Sequence, residues 1–257
     1  MIFRREIGWM VAAAYRLAGK RERTISELRA GKILPIVFHA ASSEEVRAVF
    51  AALKRLGVLE RVEVTFDDGW REFKDTIRVL EEFEKRCTLF IAPGEILRGD
   101  VWTRTLAIPE RQALYGLAAE ERYARVGEVR ERKLLDEREV REIARHPLVE
   151  IGNHTYTHLS ATSRPAEEFL AEVERAGETL GEWVGKSPDK VAYPFGRGTD
   201  ALDAELRKRG LVPYYTRQGL VDEETRGQAR NAVYEGMSLA ENLGRIFMAW
   251  PKVGETL

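Results

Sequence analysis

Short apolar runs alternate along the chain with longer segments in which apolar residues recur at helical spacing. The first apolar run is ILPIVFH, residues 33–39, and in the following segment, 43–57, apolar residues recur at intervals of three and four. A buried strand followed by an amphipathic helix gives this pattern. Ser43 is the candidate N-cap of that helix, and Gly57 its candidate end.

This strand and helix unit recurs through most of the sequence. The predicted strands are 33–39, 62–66, 87–93, 148–153, 190–195, 212–217 and 231–234. Strands that alternate with crossover helices pair in parallel and close into barrels. We therefore expect an α/β fold, a distorted, TIM-barrel-like (β/α) barrel of about seven parallel strands. A doubly wound open sheet is the alternative.

No linker, low-complexity tract or internal repeat divides the 257 residues, so we expect a single domain over 1–257. Two segments lie outside the repeating pattern. Residues 1–30 predict an N-terminal helical extension, and residues 95–135 a charged helical insertion between strands. The N-terminal apolar run is interrupted by Arg16. We therefore expect a cytoplasmic protein, with export through a weak N-terminal signal as the alternative.

The amino-acid composition limits which partners the protein could bind and which residues could hold a metal. Basic residues number 41 and acidic residues 42, a net charge of −1, which indicates no field directed at nucleic acid or an anionic membrane. No apolar stretch is long enough to predict a membrane span. Cys87 is the single cysteine, which excludes an intrachain disulfide and a thiolate zinc site. Any bound metal would use histidine and carboxylate.

Candidate ligands follow two of the predicted strands. Asp67 and Asp68 stand in TFDDG, while His154 and His158 stand four residues apart in NHTYTH. The carboxyl ends of barrel strands share one rim, so these side chains are expected to meet there. Two imidazoles and one carboxylate form a three-ligand site for a divalent cation with an open position. A surface histidine pair and a plain turn at DDG are the alternatives.

The adjacent aspartates have different roles in this interpretation. Successive side chains at a strand end point in different directions, so only one of Asp67 and Asp68 aims well at a shared ion. The other can take a proton from a water that the ion acidifies, as that water attacks a carbonyl carbon. The pattern thus predicts hydrolysis of an amide or an ester.

Three motifs, TFDDG at 65–69, HTYTH at 154–158 and YPFG at 193–196, resemble those of the polysaccharide deacetylase family, carbohydrate esterase family four. The resemblance covers about residues 33–233. It implies a metal-dependent hydrolase that removes an acyl group from an amino sugar of a glycan or glycan precursor. We expect this acyl group to be N-acetyl. The implied partner is an N-acylated sugar or oligosaccharide.

The resemblance also implies a role for each motif residue. Asp67 would be the general base, and Asp68, His154 and His158 the metal ligands. Zn²⁺ is the favoured cation, with Co²⁺, Fe²⁺, Mn²⁺ and Ni²⁺ as alternatives. The backbone N–H of Phe195 would donate to the developing oxyanion.

Two features depart from the family pattern. Ala192 stands where the third motif often carries an arginine. Arg230 is a candidate to orient the base instead, and a solvent-facing arginine is the alternative. Many members also carry a late histidine that protonates the leaving group, but none follows His158 here. His39 is the candidate acid, and a buried structural histidine is the alternative.

These departures keep other functions open. A catalytically impaired relative that binds sugar or metal without turnover is the main alternative. A glycoside hydrolase with two carboxylates is a further one, but Asp67 and Asp68 are adjacent, and such enzymes need carboxyl groups on opposite sides of the bond.

Overall fold

The computed structural model describes residues 19–100, 114, 117, 119–126 and 133–247. The strands are β1 (Leu34–Phe38), β2 (Val62–Asp67), β3 (Cys87–Ile91), β4 (Val149–Asn153), β5 (Lys190–Ala192), β6 (Val212–Tyr214) and β7 (Asn231–Ala232). The helices are α1 (19–29), α2 (Ser43–Arg55), α3 (Phe73–Glu82), α4 (Pro93–Arg98), α5 (Ala119–Val126), α6 (Glu137–Ile143), α7 (Ala166–Val184), α8 (Asp200–Lys208) and α9 (Leu239–Phe247). Short 3₁₀ turns occupy Leu59–Arg61 and Pro194–Gly196.

The seven strands form one sheet in the order β6-β5-β4-β3-β2-β1-β7. Every neighbouring pair is parallel. This confirms the predicted α/β barrel of about seven parallel strands. Among the described residues, no strand pairing joins β6 to β7, so the barrel is open between these two strands. The Asn231 amide ties β7 to β1 and to the segment that follows β6, because it donates to the Pro35 and Gly219 carbonyl oxygens at 2.8 Å each.

The alternation of β2 explains how the first motif reaches the barrel interior. Phe66 points outward into the helical layer, where its ring stacks on Phe38 at 5.2 Å and meets the edge of Phe73 at 4.9 Å between centroids. Successive strand residues face opposite sides, so Thr65 and Asp67 face the barrel axis. Asp67 is the last residue of β2 and is therefore delivered to the rim.

The cap of α2 differs by one residue from the prediction. Ser42, not Ser43, is the N-cap: its hydroxyl accepts the Glu45 N–H at 3.2 Å, and the Glu45 carboxylate accepts the Ser42 N–H at 2.8 Å. The prediction was wrong by one position because two serines stand side by side before the helix. Only Ser42 has a glutamate three residues later, Glu45, and this spacing closes a capping box.

The two segments predicted outside the barrel are described in part. Residues 1–18 lie outside the described residues, and 19–29 are helical. Of the predicted insertion 95–135, the described portions include the end of α4, all of α5, and residues 133–135. The single-domain boundary stays a prediction. No described helix is both long enough and apolar enough to cross a membrane.

Candidate active site

The loop after β2 turns sharply so that Asp68 faces the rim. Asp68 and Gly69 have φ of 73° and 81°. A Cβ on Gly69 would lie 3.0 Å from the Ile96 side chain, so both space and backbone conformation favour glycine. The Trp70 indole N–H donates to Asp68 Oδ2 at 3.1 Å and fixes the carboxylate. Trp70 is 4% exposed, so it orients a candidate ligand and is not open to a sugar ring.

The loop after β4 carries both histidines and is held by local hydrogen bonds. Asn153 Oδ1 accepts the Thr155 N–H at 2.8 Å, and Thr155 Oγ1 accepts the Leu159 N–H at 2.9 Å. The Asn153 amide also donates to the Val173 carbonyl on α7 at 2.8 Å. Short polar side chains thus satisfy backbone groups that a tight turn leaves unpaired. These hydrogen bonds fix the loop on both sides of His154.

The structure brings Asp68, His154 and His158 together as one buried cluster. Asp68 Oδ1 lies 3.6 Å from His154 Nε2 and 3.3 Å from His158 Nε2. One ligand atom from each residue lies within 4.8 Å of the others. Tetrahedral coordination with bonds of about 2.0–2.2 Å puts neighbouring ligand atoms ~3.3–3.6 Å apart. The spacing suits one shared cation.

Hydrogen bonding and burial set the charge states of His154 and Asp68. His154 Nδ1 lies 2.8 Å from the Ala192 carbonyl, which can only accept, so Nδ1 carries the proton and Nε2 presents its lone pair. Burial lowers the pKa of His154 to about 4, which keeps the ring neutral. Burial opposes ionisation of Asp68, yet His158, His39 and His154 hold the pKa of its carboxyl well below the usual range.

The residues present fit a metal ion. Asp68 Oδ1 is buried and, in the part of the chain that the structure describes, has no hydrogen-bond donor. A buried acceptor without a donor is costly unless another group satisfies it. Two imidazole nitrogens and one carboxylate oxygen are the donor set of divalent transition-metal sites with an open position. A cation would therefore complete the cluster.

Asp67 lies beside this cluster but is paired differently. Arg230 Nη1 donates to Asp67 Oδ1 at 2.6 Å, and Arg230 Nη2 to Oδ2 at 3.0 Å. Arg230 is fully buried, so the alternative of a solvent-facing arginine is wrong. Its Nε donates to the Tyr215 carbonyl at 3.0 Å. Burial opposes ionisation of Asp67, but Arg230 outweighs it, aided by His154 and His39, and the pKa stays below its ordinary value.

The two remaining candidates, His39 and Phe195, lie at the edges of the site. His39 Nε2 is 3.9 Å from Asp67 Oδ2 and its side chain is 40% exposed, so the alternative of a buried structural histidine is wrong. The Phe195 ring meets the His158 ring edge-to-face at 4.9 Å. The proposed donor role of the Phe195 amide stays a prediction.

Strained backbone concentrates at this rim. Five non-glycine residues in the described ranges have positive φ, and four of them lie here: Asp68, Thr155, His158 and Phe195. Such conformations cost on the order of 1–3 kcal/mol each and persist where the surroundings over-determine them. The clustering marks this rim as the functional end of the barrel.

A family model described as polysaccharide deacetylase matches residues 59–214. The chain belongs to the polysaccharide deacetylase family. The match includes TFDDG, HTYTH and the YPFG segment. In this deacetylase-family chain, Arg230 reaches the first aspartate from the position just before β7, whereas Ala192 stands where the third motif often carries an arginine. A search of curated proteins finds no match.

Solved structures share the fold at low identity. IcaB from Ammonifex degensii is 18% identical with a TM-score of 0.60, covering 85% of this chain and 98% of that one. A de-N-acetylase from Aggregatibacter actinomycetemcomitans is 15% identical with a TM-score of 0.61, covering 83% and 99%. The Streptococcus pyogenes deacetylase PplD is 15% identical with a TM-score of 0.58, covering 86% and 99%.

Sequence reasoning missed two supports of the deacetylase site. It did not foresee the hydrogen bond from the Trp70 indole to Asp68. It found no role for Arg122 of the insertion, which contacts the loop between the two histidines. The position of Trp70 directly after DDG was a usable signal, but nothing near Arg122 in the sequence marks it.

Proposed function

We propose that this protein is a metal-dependent carbohydrate deacetylase that removes an acyl group, specifically N-acetyl, from an amino sugar of a glycan or glycan precursor. Family membership supports the reaction class. One observation carries the assignment to these residues: the buried Asp68 Oδ1, which lacks a described donor, faces two imidazole nitrogens beside a second, ionised carboxylate.

Asp68, His154 and His158 would hold the cation in this proposal. Zn²⁺ is favoured, and Co²⁺, Fe²⁺, Mn²⁺ and Ni²⁺ suit the same mixed nitrogen and oxygen donors. When bound, a divalent cation polarises a carbonyl and lowers the pKa of water near it. Trp70 keeps Asp68 Oδ2 occupied, so that Oδ1 is the oxygen turned toward the histidines.

Asp67 is the general base in this proposal. Its carboxylate would take one proton from the water that attacks the acyl carbon. Arg230 is a positioning residue: its two-point contact fixes the plane of the carboxylate and keeps it ionised. The Asp67 pKa lies below its ordinary value, so the base is in its charged form at neutral pH.

Two further groups complete the chemistry. The Phe195 N–H would donate to the acyl oxygen as it gains negative charge. A new carbon–oxygen bond forms, the carbon–nitrogen bond breaks, and protonated His39 would give its proton to the departing nitrogen. The products are a free amino sugar and acetate. His39 suits this role because it is near Asp67 yet partly open to solvent.

A second candidate function is binding of sugar or metal without turnover. The observation that favours it is the lack of any histidine after His158 in the sequence. If His39 does not supply the leaving-group proton, the amide would break slowly. This alternative predicts full cation binding with no acetate released above background.

The test combines metal analysis with acetate release from N-acetylglucosamine oligosaccharides by purified protein. Asp67→Asn should retain the metal and lose activity by about 10²–10⁴-fold, the usual contribution of a general base. The exposed carboxylate Asp75 offers a matched control, since Asp75→Asn makes the same chemical change on α3. Unchanged acetate release by Asp67→Asn would remove Asp67 from the mechanism.

The compartment and the form of the substrate belong together in this proposal. We place the protein in the cytoplasm, where precursors of a surface glycan are more accessible than a finished polymer. Cell fractionation tests this placement. Recovery of the protein outside the cell would contradict it and favour a finished polysaccharide.

A further inference from the structure

Thr157, which lies between the two histidines of the cluster, uses all of its polar groups in contacts with other elements. Its backbone N–H and its hydroxyl both reach Glu172 Oε2 on α7, at 2.6 and 3.0 Å. Arg122 Nη2 donates to the same hydroxyl at 2.7 Å and to the Thr157 carbonyl oxygen at 3.1 Å. The hydroxyl therefore donates to the carboxylate and accepts from the guanidinium. We call these four contacts the Thr157 clamp.

Arg122 reaches the clamp from α5, which belongs to the insertion and not to the barrel's repeating units. Its side chain is fully buried. Burial of a guanidinium requires acidic or carbonyl partners. The Thr157 carbonyl and the nearby carboxylates of Glu95 and Glu172 supply them, and Tyr123 beside it donates to Glu95 at 2.5 Å. The insertion is thus docked on the metal-binding loop through a buried, charged contact.

The preceding residue of the loop, Tyr156, is held by other elements. Its carbonyl accepts the Gly94 N–H at 2.8 Å, where a Cβ on Gly94 would lie 2.7 Å from that oxygen. The Arg175 guanidinium lies 3.7 Å over the Tyr156 ring. The loop between His154 and His158 is therefore fixed by α4, α5 and α7 together.

The two histidines differ in how their rings are oriented. His154 donates from Nδ1 to a backbone carbonyl, the usual support for a metal-binding imidazole. His158 Nδ1 is buried and has no hydrogen-bond partner among the described residues. His158 also has φ of 53°, a conformation that needs support from its surroundings. Its neighbour Thr157 is where that support is applied.

We propose that Arg122 is a positioning residue for the metal centre: through Thr157 it fixes the backbone of His158 so that the imidazole faces Asp68. The clamp takes the place of the ring hydrogen bond for which His158 Nδ1 has no partner among the described residues. This inference rests on the proposed function only in requiring a cation at the cluster. It gives the helical insertion a defined role, which is to set the affinity and geometry of the site.

The test measures binding of Co²⁺ alone to the full chain freed of metal, followed by the visible absorption of the ion. Thr157→Val keeps the side-chain shape and removes the hydroxyl, while Thr157→Ser keeps the hydroxyl. Loss of a group that orients a ligand typically weakens metal affinity about 10–100-fold. We expect a loss of this size in Thr157→Val and in Arg122→Met, an altered Co²⁺ spectrum in both, and near wild-type binding in Thr157→Ser.

A matched arginine control lies in the same region. Arg164 lines the cavity of about 520 Å³ that also borders Arg122 and Thr157, but it pairs with Glu168 at 2.7 Å on the surface. Arg164→Met should bind Co²⁺ as the wild type does. The double variant of Arg122 and Thr157 should be little weaker than either single variant, because both changes remove the same contact.

The outcomes separate this inference from the proposed function. Wild-type affinity and spectrum in Thr157→Val would overturn the clamp. If Arg122→Met fails to fold by circular dichroism, the Thr157→Val and Thr157→Ser pair decides the question alone. Failure of the wild-type chain to bind Co²⁺ would overturn the proposed metal site, and the clamp with it.

Discussion

The two halves of the site are built in opposite ways. In the metal half, Asp68 Oδ1 is buried without a described donor and faces the imidazoles of His154 and His158. In the base half, both oxygens of Asp67 accept hydrogen bonds from Arg230. Among the described residues, the metal half has a buried acceptor without a donor, whereas the base half is already paired.

This difference separates two kinds of pre-organisation. A cluster with an unsatisfied acceptor is arranged for a group that arrives later, and the surrounding structure holds its strained residues in place. A buried ion pair instead has to be satisfied by the protein itself, because an unpaired buried charge is strongly destabilising. We therefore expect changes in the metal half to act on cation binding, and changes in the base half to act on turnover and stability.

The largest effect is expected from removing the carboxylate ligand. Asp68→Ala should abolish stoichiometric metal binding and lower kcat/KM by more than about 10⁴-fold, because both the cation and the base action that depends on it are lost. Metal analysis and acetate release check this. Retention of one cation per chain by the variant would show that Asp68 is not a ligand.

The next effect tests the base half. Arg230→Met should lower kcat by about 10²-fold, since misplacement of a reacting group by about 1 Å has this cost. It should also lower the free energy of unfolding by about 3–5 kcal/mol, because Asp67 is left buried and unpaired. Cation affinity should change little. Kinetics at low temperature measure kcat, urea unfolding measures the free energy of unfolding, and metal titration measures cation affinity. A variant that loses only cation affinity would contradict the separation of the site into a metal half and a base half.

The pH dependence sharpens the same comparison. Catalysis needs Asp67 ionised and metal binding needs His154 neutral, so both are lost as the pH falls. The Asp67 pKa is below its ordinary value, and His154 takes up its proton only as the pH falls through about 4. In Arg230→Met, burial without the guanidinium should raise the Asp67 pKa and move the acid limb of kcat to higher pH.

The smallest effect is expected at the support of Asp68. Trp70→Phe keeps the buried aromatic ring and removes the indole N–H that occupies Asp68 Oδ2. Cation affinity should fall by about tenfold, the lower end of the usual effect of such supporting groups. Trp183→Phe, a second buried tryptophan in the core, is the control for loss of indole volume. Equal losses of affinity in both variants would exclude a specific role for Trp70.

The metal half was predictable because its residues come from short motifs at strand ends. The apolar runs place the ends of β2 and β4, and parallel pairing brings those ends to one rim. The grouping of Asp68, His154 and His158 therefore follows from the order of residues along the chain. The strand bounds were recovered within a few residues for the same reason, since burial on both faces leaves a continuous apolar run.

The base half and the clamp were less predictable because they depend on contacts between distant segments. Arg230 and Asp67 are separated by 163 residues, and no local pattern distinguishes a buried partner from an exposed arginine. Arg122 comes from a helical insertion that lies outside the repeating strand and helix pattern. At the start of α2, by contrast, the signal was in the sequence, because Ser42 and not Ser43 has the glutamate three residues later that closes a capping box.

The central claim is that Asp68, His154 and His158 share one cation while Asp67 stays outside the coordination. The most direct measurement is the metal content of the wild type and of Asp67→Asn after loading with Zn²⁺ and removal of excess ion. We expect one equivalent per chain in both proteins. Absence of bound Zn²⁺ from the wild type, or its loss from Asp67→Asn alone, would contradict it.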